Sequence, residues 1–258
     1  MTAPRPQNVS LEVAIASLQG AIYSESGGAN RIELNSALPL GGLTPSLGLV
    51  KAVIERVRLP VIAMVRPRPG GFCYGEEDWR VMQKDADLLL EAGAAGLAFG
   101  YLKTEGEVDI PRTRMMLRQM EGRAAVFHRA FDLTPDPFEA LEMLIDLGVT
   151  RILTSGQAST AAEGAEVIRR LIKQAAGRIE ILPGGSIRAH SVADLIKATG
   201  CDQVHAALRV SRSDPSTVTR PHLRFGLNTG LPEGEFEEVD EESVRAMRAT
   251  LDGAANTQ

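Results

Sequence analysis

The chain of 258 residues lacks several features that mark particular classes of protein. It contains only two cysteines, Cys73 and Cys201, and they form no C-x-x-C pair, which disfavours a disulfide scaffold and a paired-cysteine redox motif. No apolar run approaches the roughly 18 residues that a membrane-spanning helix needs. The polar segment 1–8 has no hydrophobic core of a signal peptide. We therefore expect a cytoplasmic protein with no membrane partner.

An excess of positive charge is also missing. The 28 basic residues are outnumbered by 33 acidic ones, the formal net charge is −5, and no long basic cluster is present. This composition argues against nucleic acid and anionic membranes as partners. Apolar residues make up 44% of the chain, which is enough for a substantial core.

Strands and helices are predicted to alternate along the chain, which is typical of parallel β-α-β units. The strand-like runs are 9–15, 31–35, 60–66, 96–100, 124–131, 151–155, 178–182 and 203–208. Eight such strands in a chain of this length predict a (β/α)8 TIM-type barrel. The alternative is a doubly wound sheet, which would carry a G-x-G-x-x-G loop after the first strand, where the chain reads Ala16-Ser17-Leu18.

The predicted barrel covers residues 1–220. Residues 221–258 contain glycine, proline and an acidic run, followed by a short helix with Val244, Met247 and Leu251 at helical spacing. We interpret this C-terminal extension as a lid or interface segment and not as a second domain.

Polar residues interrupt strands that otherwise consist of apolar side chains. Strands covered on both faces are normally continuous in Val, Ile and Leu, and carboxylates are almost never buried unless they are paired. The residues that break this rule are Glu12, Glu33, Arg66, His128 and His205. Because side chains alternate along a strand, Glu33 and His205 should share one interior layer of the barrel. The pattern predicts a polar centre inside the barrel near its mouth.

These residue types suit acid–base chemistry. Two carboxylates held close together, such as Glu12 and Glu33, acquire different pKa values, so that one is an acid and the other a base. His128 titrates near neutral pH, and Asp132 could orient it or bind substrate. The catalytic candidates are Glu12, Glu33, His128, Asp132 and His205. Two alternatives stay open: a divalent metal held by these carboxylates and imidazoles, or a structural network in which Arg66 neutralises the glutamates.

An anionic substrate is indicated by the loops at the same end of the barrel. In many TIM barrels the loops after the seventh and eighth strands bind phosphate through backbone N–H groups. The substrate-binding candidates are Asn35, Arg66, Arg68, Thr154, Ser155, Gly184, Gly185 and Arg209. The glycine pair could instead be only a turn, and Arg68 could form a surface salt bridge.

Several segments together resemble the CutC family, which is named for copper homeostasis. They are Leu11-Glu12-Val13, 28–34 (GANRIEL), 41–46 (GGLTPS), Arg66-Pro67-Arg68, 127–132 (FHRAFD), 152–156 (ILTSG) and Pro183-Gly184-Gly185. The resemblance extends from about Val9 to Arg209. It implies a cytoplasmic TIM-type barrel that forms a homo-oligomer.

The chain departs from the family at two positions. Where family members commonly have cysteines after the Leu-Glu-Val run and after the Ile-Glu-Leu run, this chain has Ala14 and Asn35. Paired thiolates suit Cu(I), whereas the remaining oxygen and imidazole donors suit harder ions, so copper is disfavoured and no metal is identified. We therefore favour an enzyme of unassigned reaction on a small polar or anionic molecule over a copper-binding protein without catalysis.

Overall fold

The computed structural model describes residues 9–220, 222–224 and 233–256. Ten strands are present in this part of the chain: β1 (Ser10–Ile15), β2 (Arg31–Leu34), β3 (Val61–Met64), β4 (Gly96–Phe99), β5 (Ala124–Phe127), β6 (Arg151–Thr154), β7 (Glu180–Pro183), β8 (Gln203–Ala206), β9 (Arg209–Ser213) and β10 (Glu235–Val239). The α-helices are α1 (Leu18–Ser26), α2 (Leu47–Arg56), α3 (Glu76–Glu91), α4 (Ile110–Gln119), α5 (Pro137–Leu147), α6 (Ala165–Ala175), α7 (Ala189–Thr199) and α8 (Glu241–Asn256).

The first eight strands form a parallel barrel. Their order in the sheet is β7-β6-β5-β4-β3-β2-β1-β8, and every neighbouring pair is parallel. A parallel bridge between Gly184 and His205 joins β7 to β8 and closes the ring. The predicted (β/α)8 TIM-type barrel is confirmed.

Alternation of side chains along the strands produces two separate apolar cores. Outward-facing residues such as Ile32, Leu97, Ile152 and Val204 pack with the helices in the larger core. The smaller core lies inside the barrel and consists of Ile62, Met64, Ala98, Val126, Leu153 and Leu182. None of these six lies on β8, β1 or β2, where polar side chains occupy the interior instead.

Helix α8 belongs to the ring of helices around the barrel. It contacts α7 and α1, and Val244, Met247 and Leu251 are fully buried. Arg248 donates a hydrogen bond to the carbonyl oxygen of Val9 at 2.9 Å, which ties the helix to the start of β1. The helix predicted within the C-terminal extension therefore takes the place of the eighth barrel helix. Strands β9 and β10, which precede it, form an antiparallel pair outside the barrel.

The fifth strand is shorter than its apolar pattern predicts. It ends at Phe127 and not at Phe131, and Arg129–Leu133 form a 3-10 turn. The imidazole Nδ1 of His128 accepts a hydrogen bond from the backbone N–H of Ala130 at 3.1 Å, which caps this turn. Asp132 consequently lies on a turn and not on a strand. None of the described helices is long and apolar enough to cross a membrane.

Candidate functional site

A cavity of about 300 Å³ opens at the carboxyl ends of the barrel strands. It brings together seven of the residues predicted from the sequence: Glu33, Asn35, Arg66, His128, Gly185, His205 and Arg209. Three further polar residues of the lining were not predicted: Arg129, Ser186 and Arg188. The sequence pattern predicts Arg129 within the fifth strand, whereas Arg129 lies on the 3-10 turn that follows this strand. Ser186 and Arg188 lie in the loop after the glycine pair, where no periodic pattern predicts which side chains face the cavity.

Two glutamates flank His205 in the barrel interior. Glu12 Oε1 lies 2.8 Å from His205 Nδ1, and Glu33 Oε2 lies 3.9 Å from His205 Nε2. The register explains this contact, because Glu12 pairs with His205 across β1 and β8. Glu12 is 1% exposed and does not line the cavity, whereas Glu33 and His205 do. The three side chains form a line from the barrel interior to the cavity.

The three groups have different protonation equilibria. Burial opposes ionisation of Glu12, but the hydrogen bond from His205 and the charge of Arg31 outweigh it and lower the pKa of Glu12 to about 2. Burial and the neighbouring charge of Glu12 raise the pKa of Glu33. For His205, the charges of Glu33 and Glu12 outweigh burial and raise the pKa. Glu12 is therefore a fixed carboxylate, while Glu33 and His205 are both able to hold a proton.

The counter-ion of Glu12 is Arg31, and not Arg66 as the structural alternative assumed. Arg31 Nε donates to Glu12 Oε2, and Arg31 Nη2 donates to Gln203 Oε1 at 2.6 Å. Gln203 in turn donates to Glu180 at 3.2 Å. Strand alternation places Arg31, two residues before Glu33, on the same side of β2, but Arg31 does not interrupt an apolar run and so is not marked in the sequence.

Arg66 binds the loops that cover the mouth. Its guanidinium donates to the carbonyl oxygens of Leu40, Gly42 and Gly70 at 3.0, 2.9 and 2.8 Å. It is 6% exposed, and its Nε has no hydrogen-bond partner. Arg66 therefore brings a positive charge to the cavity wall.

His128 is held as a neutral imidazole. Burial and the positive charge of Arg66 lower its pKa to about 3. Because Nδ1 accepts the N–H of Ala130, the proton of the neutral ring is on Nε2. Nε2 is buried without a partner, so His128 offers an unused hydrogen-bond donor.

Asp132 stabilises the loop after β6 through hydrogen bonds and does not orient His128. Its carboxylate accepts hydrogen bonds from Thr154 Oγ1 at 2.5 Å, from Ser155 N and Oγ at 3.1 and 2.9 Å, and from Arg129 Nε at 2.8 Å. Neither Asp132, Thr154 nor Ser155 lines the cavity. Their mutual hydrogen bonds position Arg129, which does line it.

The glycine pair allows the chain to pass close to the cavity wall. A Cβ on Gly184 would lie 2.6 Å from Leu153 Cδ1, and Gly185 has a φ of +114°, which side chains rarely tolerate. Gly185 lines the cavity and Gly184 does not. Arg68 is also absent from the lining, because it pairs with Asp78 at 2.7 Å on the half-exposed surface. Arg209 lines the cavity and pairs with Glu237 of β10.

The described lining of the cavity offers Cu(I) no thiolate, and Met64 contributes its one sulfur atom. Ala14 has no donor, and the amide nitrogen of Asn35 donates to Glu33 Oε2 at 3.0 Å. One cluster of metal-ligating type is found among the described residues, formed by Glu12, Glu33 and His205, whose donor atoms lie within 4.8 Å of one another. Both oxygens of Glu12 are already hydrogen-bonded, which leaves Glu33 Oε1 as the carboxylate oxygen of the cluster without a partner. Oxygen and imidazole donors suit harder divalent ions better than Cu(I).

The fold and this geometry define a TIM-type barrel protein with a buried carboxylate–histidine centre at its mouth. Comparison with known proteins is more specific. The sequence model of the CutC family matches residues 9–210, and the chain belongs to this family. The resemblance seen in the sequence motifs is confirmed.

Two relatives match at least 90% of the chain, and one solved structure matches about three quarters of it. A family protein CutC of Treponema denticola is 48% identical over 231 residues, covering 90% of this chain and 94% of that protein. The human copper homeostasis protein cutC homolog is 38% identical over 239 residues, covering 93% and 88%. The crystal structure of a putative copper homeostasis protein CutC from Streptococcus agalactiae has 31% identity and a TM-score of 0.73, covering 76% of this chain and 97% of that one.

Proposed function

We propose that this protein is an enzyme that transfers a proton on a small polar or anionic molecule bound in the barrel mouth, with Glu33 and His205 as the acid–base pair. The observation that carries the proposal is the arrangement of these two groups. They line the same cavity, their pKa values are both raised, and Oε1 of Glu33 is buried without a partner. Shifted pKa values in two ionisable groups that share one cavity are typical of general acid–base catalysts.

Glu12 and Arg31 act as positioning residues in this account. The ionised Glu12 accepts the Nδ1 proton of His205, which directs Nε2 toward Glu33 and the cavity. Arg31 compensates the buried charge of Glu12. Glu33 Oε1 takes a proton from a substrate C–H or O–H group, and His205 Nε2 returns a proton to the product. The protein thereby orients the acid–base pair with a carboxylate that never titrates near neutral pH.

Covalent catalysis by a side chain is not part of the proposal. Among the described residues that line the cavity there is neither a lysine nor a cysteine, so a Schiff base or a thioester has no nucleophile there.

The second candidate is metal handling without catalysis. The cluster of Glu12, Glu33 and His205 supports it, as do the names of the human and Streptococcus agalactiae relatives. It ranks second because both carboxylate oxygens of Glu12 already form hydrogen bonds, one with Arg31 and one with His205. A cation would have to displace Arg31 or bind to Glu33 and His205 alone. The cytoplasmic location and the homo-oligomer stay predictions.

Solvent proton exchange tests the proposal even while the substrate is unassigned. Wild-type protein is incubated in D₂O with a panel of small hydroxy acids, keto acids and sugar acids, and loss of C–H signals is followed by proton NMR. We expect exchange in at least one compound, lost in Glu33→Gln and kept in the control Arg80→Gln, whose side chain is 65% exposed on α3. Absence of exchange across the panel, together with stoichiometric binding of a metal ion that Glu33→Gln abolishes, would favour the second candidate.

A further inference from the structure

Arg66 is a buried cation without an anionic partner. Its side chain binds three carbonyl oxygens, and no carboxylate within the described ranges lies within 4.0 Å of its guanidinium. Arginine is almost never fully buried unless it is paired, because an uncompensated charge loses the solvation that water provides. The carbonyl dipoles of the covering loops offset part of that loss, and a net positive charge remains at the cavity wall.

Tyr74 does not neutralise this charge. The pKa of Tyr74 is raised because burial outweighs the opposing charges of Arg66 and Arg68, so the phenol is neutral. A side-chain hydrogen bond with Arg66 also acts to lower the pKa of Tyr74 but does not outweigh burial. No group of the described chain therefore supplies an anionic counter-ion to Arg66.

A second unused donor lies beside Arg66. The ring of Phe72 packs against both groups, with its centroid 5.1 Å from Arg66 Cζ and 4.8 Å from the imidazole centroid of His128. His128 is 3% exposed, and its Nε2 has no partner. All three residues line the cavity. A charged guanidinium and a neutral N–H donor, both more than nine-tenths buried, thus share one wall under the same aromatic ring.

We infer that Arg66 and His128 form the binding subsite for a carboxylate group of the ligand, with Phe72 as its apolar cover. The inference rests on the proposed function, because it places the reacting group of the ligand at the acid–base pair in the same cavity. The ligand class is then a small carboxylic acid, whose carboxylate binds at Arg66 and His128 and whose reacting hydrogen faces Glu33.

A carboxylate fits this wall better than a phosphate. Three of the five N–H groups of Arg66 bind carbonyl oxygens, which leaves the N–H of Nε and one N–H of Nη2. This edge of the guanidinium matches the two oxygens of a planar carboxylate, with the N–H of His128 beside it. Phosphate sites usually present several backbone N–H groups as well. Two other cationic side chains of the lining are paired with carboxylates, Arg129 with Asp132 and Arg209 with Glu237. Arg188 donates to the carbonyl oxygen of Ile187, so it is a second positive charge at the cavity.

Acetate, formate and inorganic phosphate are the probes that test the subsite. The full chain is labelled with ¹⁵N-histidine, and the Nε2 signal of His128 is followed during titration with each anion. We expect a saturable shift with acetate and formate, weakened about tenfold or more in Arg66→Gln, as loss of a hydrogen bond from a charged donor implies. Arg80→Gln is the matched control and should bind as wild type does. Arg66→Lys, which keeps the charge, covers the case in which Arg66→Gln fails to fold.

Each outcome decides a separate point. Saturation by phosphate but not by acetate would overturn the carboxylate class, and no saturable shift with any anion would overturn the subsite. If both Arg66 variants bound acetate with the affinity of wild type, Arg66 would not be part of the subsite. Glu33→Gln separates this inference from the proposed function: we expect it to keep acetate binding while losing proton exchange. Acetate binding without any proton exchange in wild type would leave the subsite standing and overturn the proposed enzyme.

Discussion

The two histidines of the cavity lie in opposite electrostatic surroundings. His205, on β8, is flanked by Glu12 and Glu33, and its pKa is raised. His128, at the end of β5, lies beside Arg66 and contacts no carboxylate within 4 Å in the described chain, and its pKa falls to about 3. Both are largely buried, so burial alone does not separate them. The neighbouring charge decides whether each imidazole carries a proton.

This difference divides the barrel mouth into two functional walls. On the β8-β1-β2 side, a carboxylate that stays ionised holds an imidazole able to exchange its proton. On the Arg66 side, the imidazole cannot be charged near neutral pH and serves only as a donor. Residues of one type therefore perform different tasks within one cavity.

The largest expected effect comes from removing the charge of Glu12, which holds His205 on the β8-β1-β2 side of the cavity. Glu12→Gln leaves Arg31 without its charge partner in the barrel interior, and breaking a buried pair costs about 3–5 kcal/mol. Glu33→Gln should leave the free energy of unfolding unchanged or raise it. Its amide oxygen can still accept from Asn35, and the repulsion from Glu12 disappears.

Urea denaturation of both variants at neutral pH makes this comparison, read as midpoints at unchanged slope. A loss of several kcal/mol in Glu33→Gln would assign Glu33 to a structural network. Equal stability of Glu12→Gln and wild type would contradict the role of Glu12 as anchor.

The second effect concerns acid stability. The unfolded chain protonates His128 near pH 6.5, but the folded chain does so only near pH 3. Between these values the unfolded state binds more protons, so the free energy of unfolding falls by about 1.4 kcal/mol per pH unit on acidification from this residue. Glu12 adds a further loss only between pH 4.5 and about 2.

We therefore expect His128→Gln to lose less stability than wild type when the pH is lowered from 7 to 5. Denaturation midpoints of both proteins at the two pH values check this. An equal loss of stability in the two proteins between pH 7 and pH 5 would show that His128 titrates normally in the folded state.

The third effect is on copper. Wild type should bind Cu(I) weakly, because Ala14 has no donor atom and Asn35 offers only an amide. The double variant with Ala14→Cys and Asn35→Cys places two thiolates on the cavity wall and should bind Cu(I) at least about tenfold more tightly, since thiolates are the preferred ligands of soft ions. Competition with a Cu(I) chelator measures both affinities. Tight stoichiometric binding by wild type, retained when Cys73 and Cys201 are changed to serine, would contradict the expectation.

The smallest effect separates Arg66 from Arg68. Arg68 is 40% exposed and pairs with Asp78, which is 32% exposed, so Arg68→Gln should change the free energy of unfolding by less than about 1 kcal/mol. It should also leave acetate binding intact. A clear loss of acetate binding in Arg68→Gln would show that Arg68 contributes to substrate binding, as the sequence predicts.

Strand periodicity was sufficient to predict the barrel and to place Glu33, Arg66, His128 and His205 at one mouth. It works because each side chain position on a strand has a determined face. The pattern does not single out Arg31, although the same rule places it beneath Glu33, because Arg31 opens its strand instead of interrupting an apolar run. The rule fails for Asp132, since the chain leaves the strand at His128. Hydrogen bonds such as the one from Ala130 to His128 depend on three-dimensional contacts that no periodic pattern encodes.

In the proposed site, one histidine of the cavity exchanges its proton while the other stays neutral. An imidazole ¹⁵N pH titration of the full chain from pH 4 to 9, with His128, His190, His205 and His222 assigned by substitution, measures this difference. We expect His205 to titrate above pH 6.5 with a hydrogen-bonded Nδ1 proton, and His128 to stay neutral with its proton on Nε2 down to pH 4. Titration of both residues together near pH 6.5, or a proton on Nδ1 of His128, would contradict it.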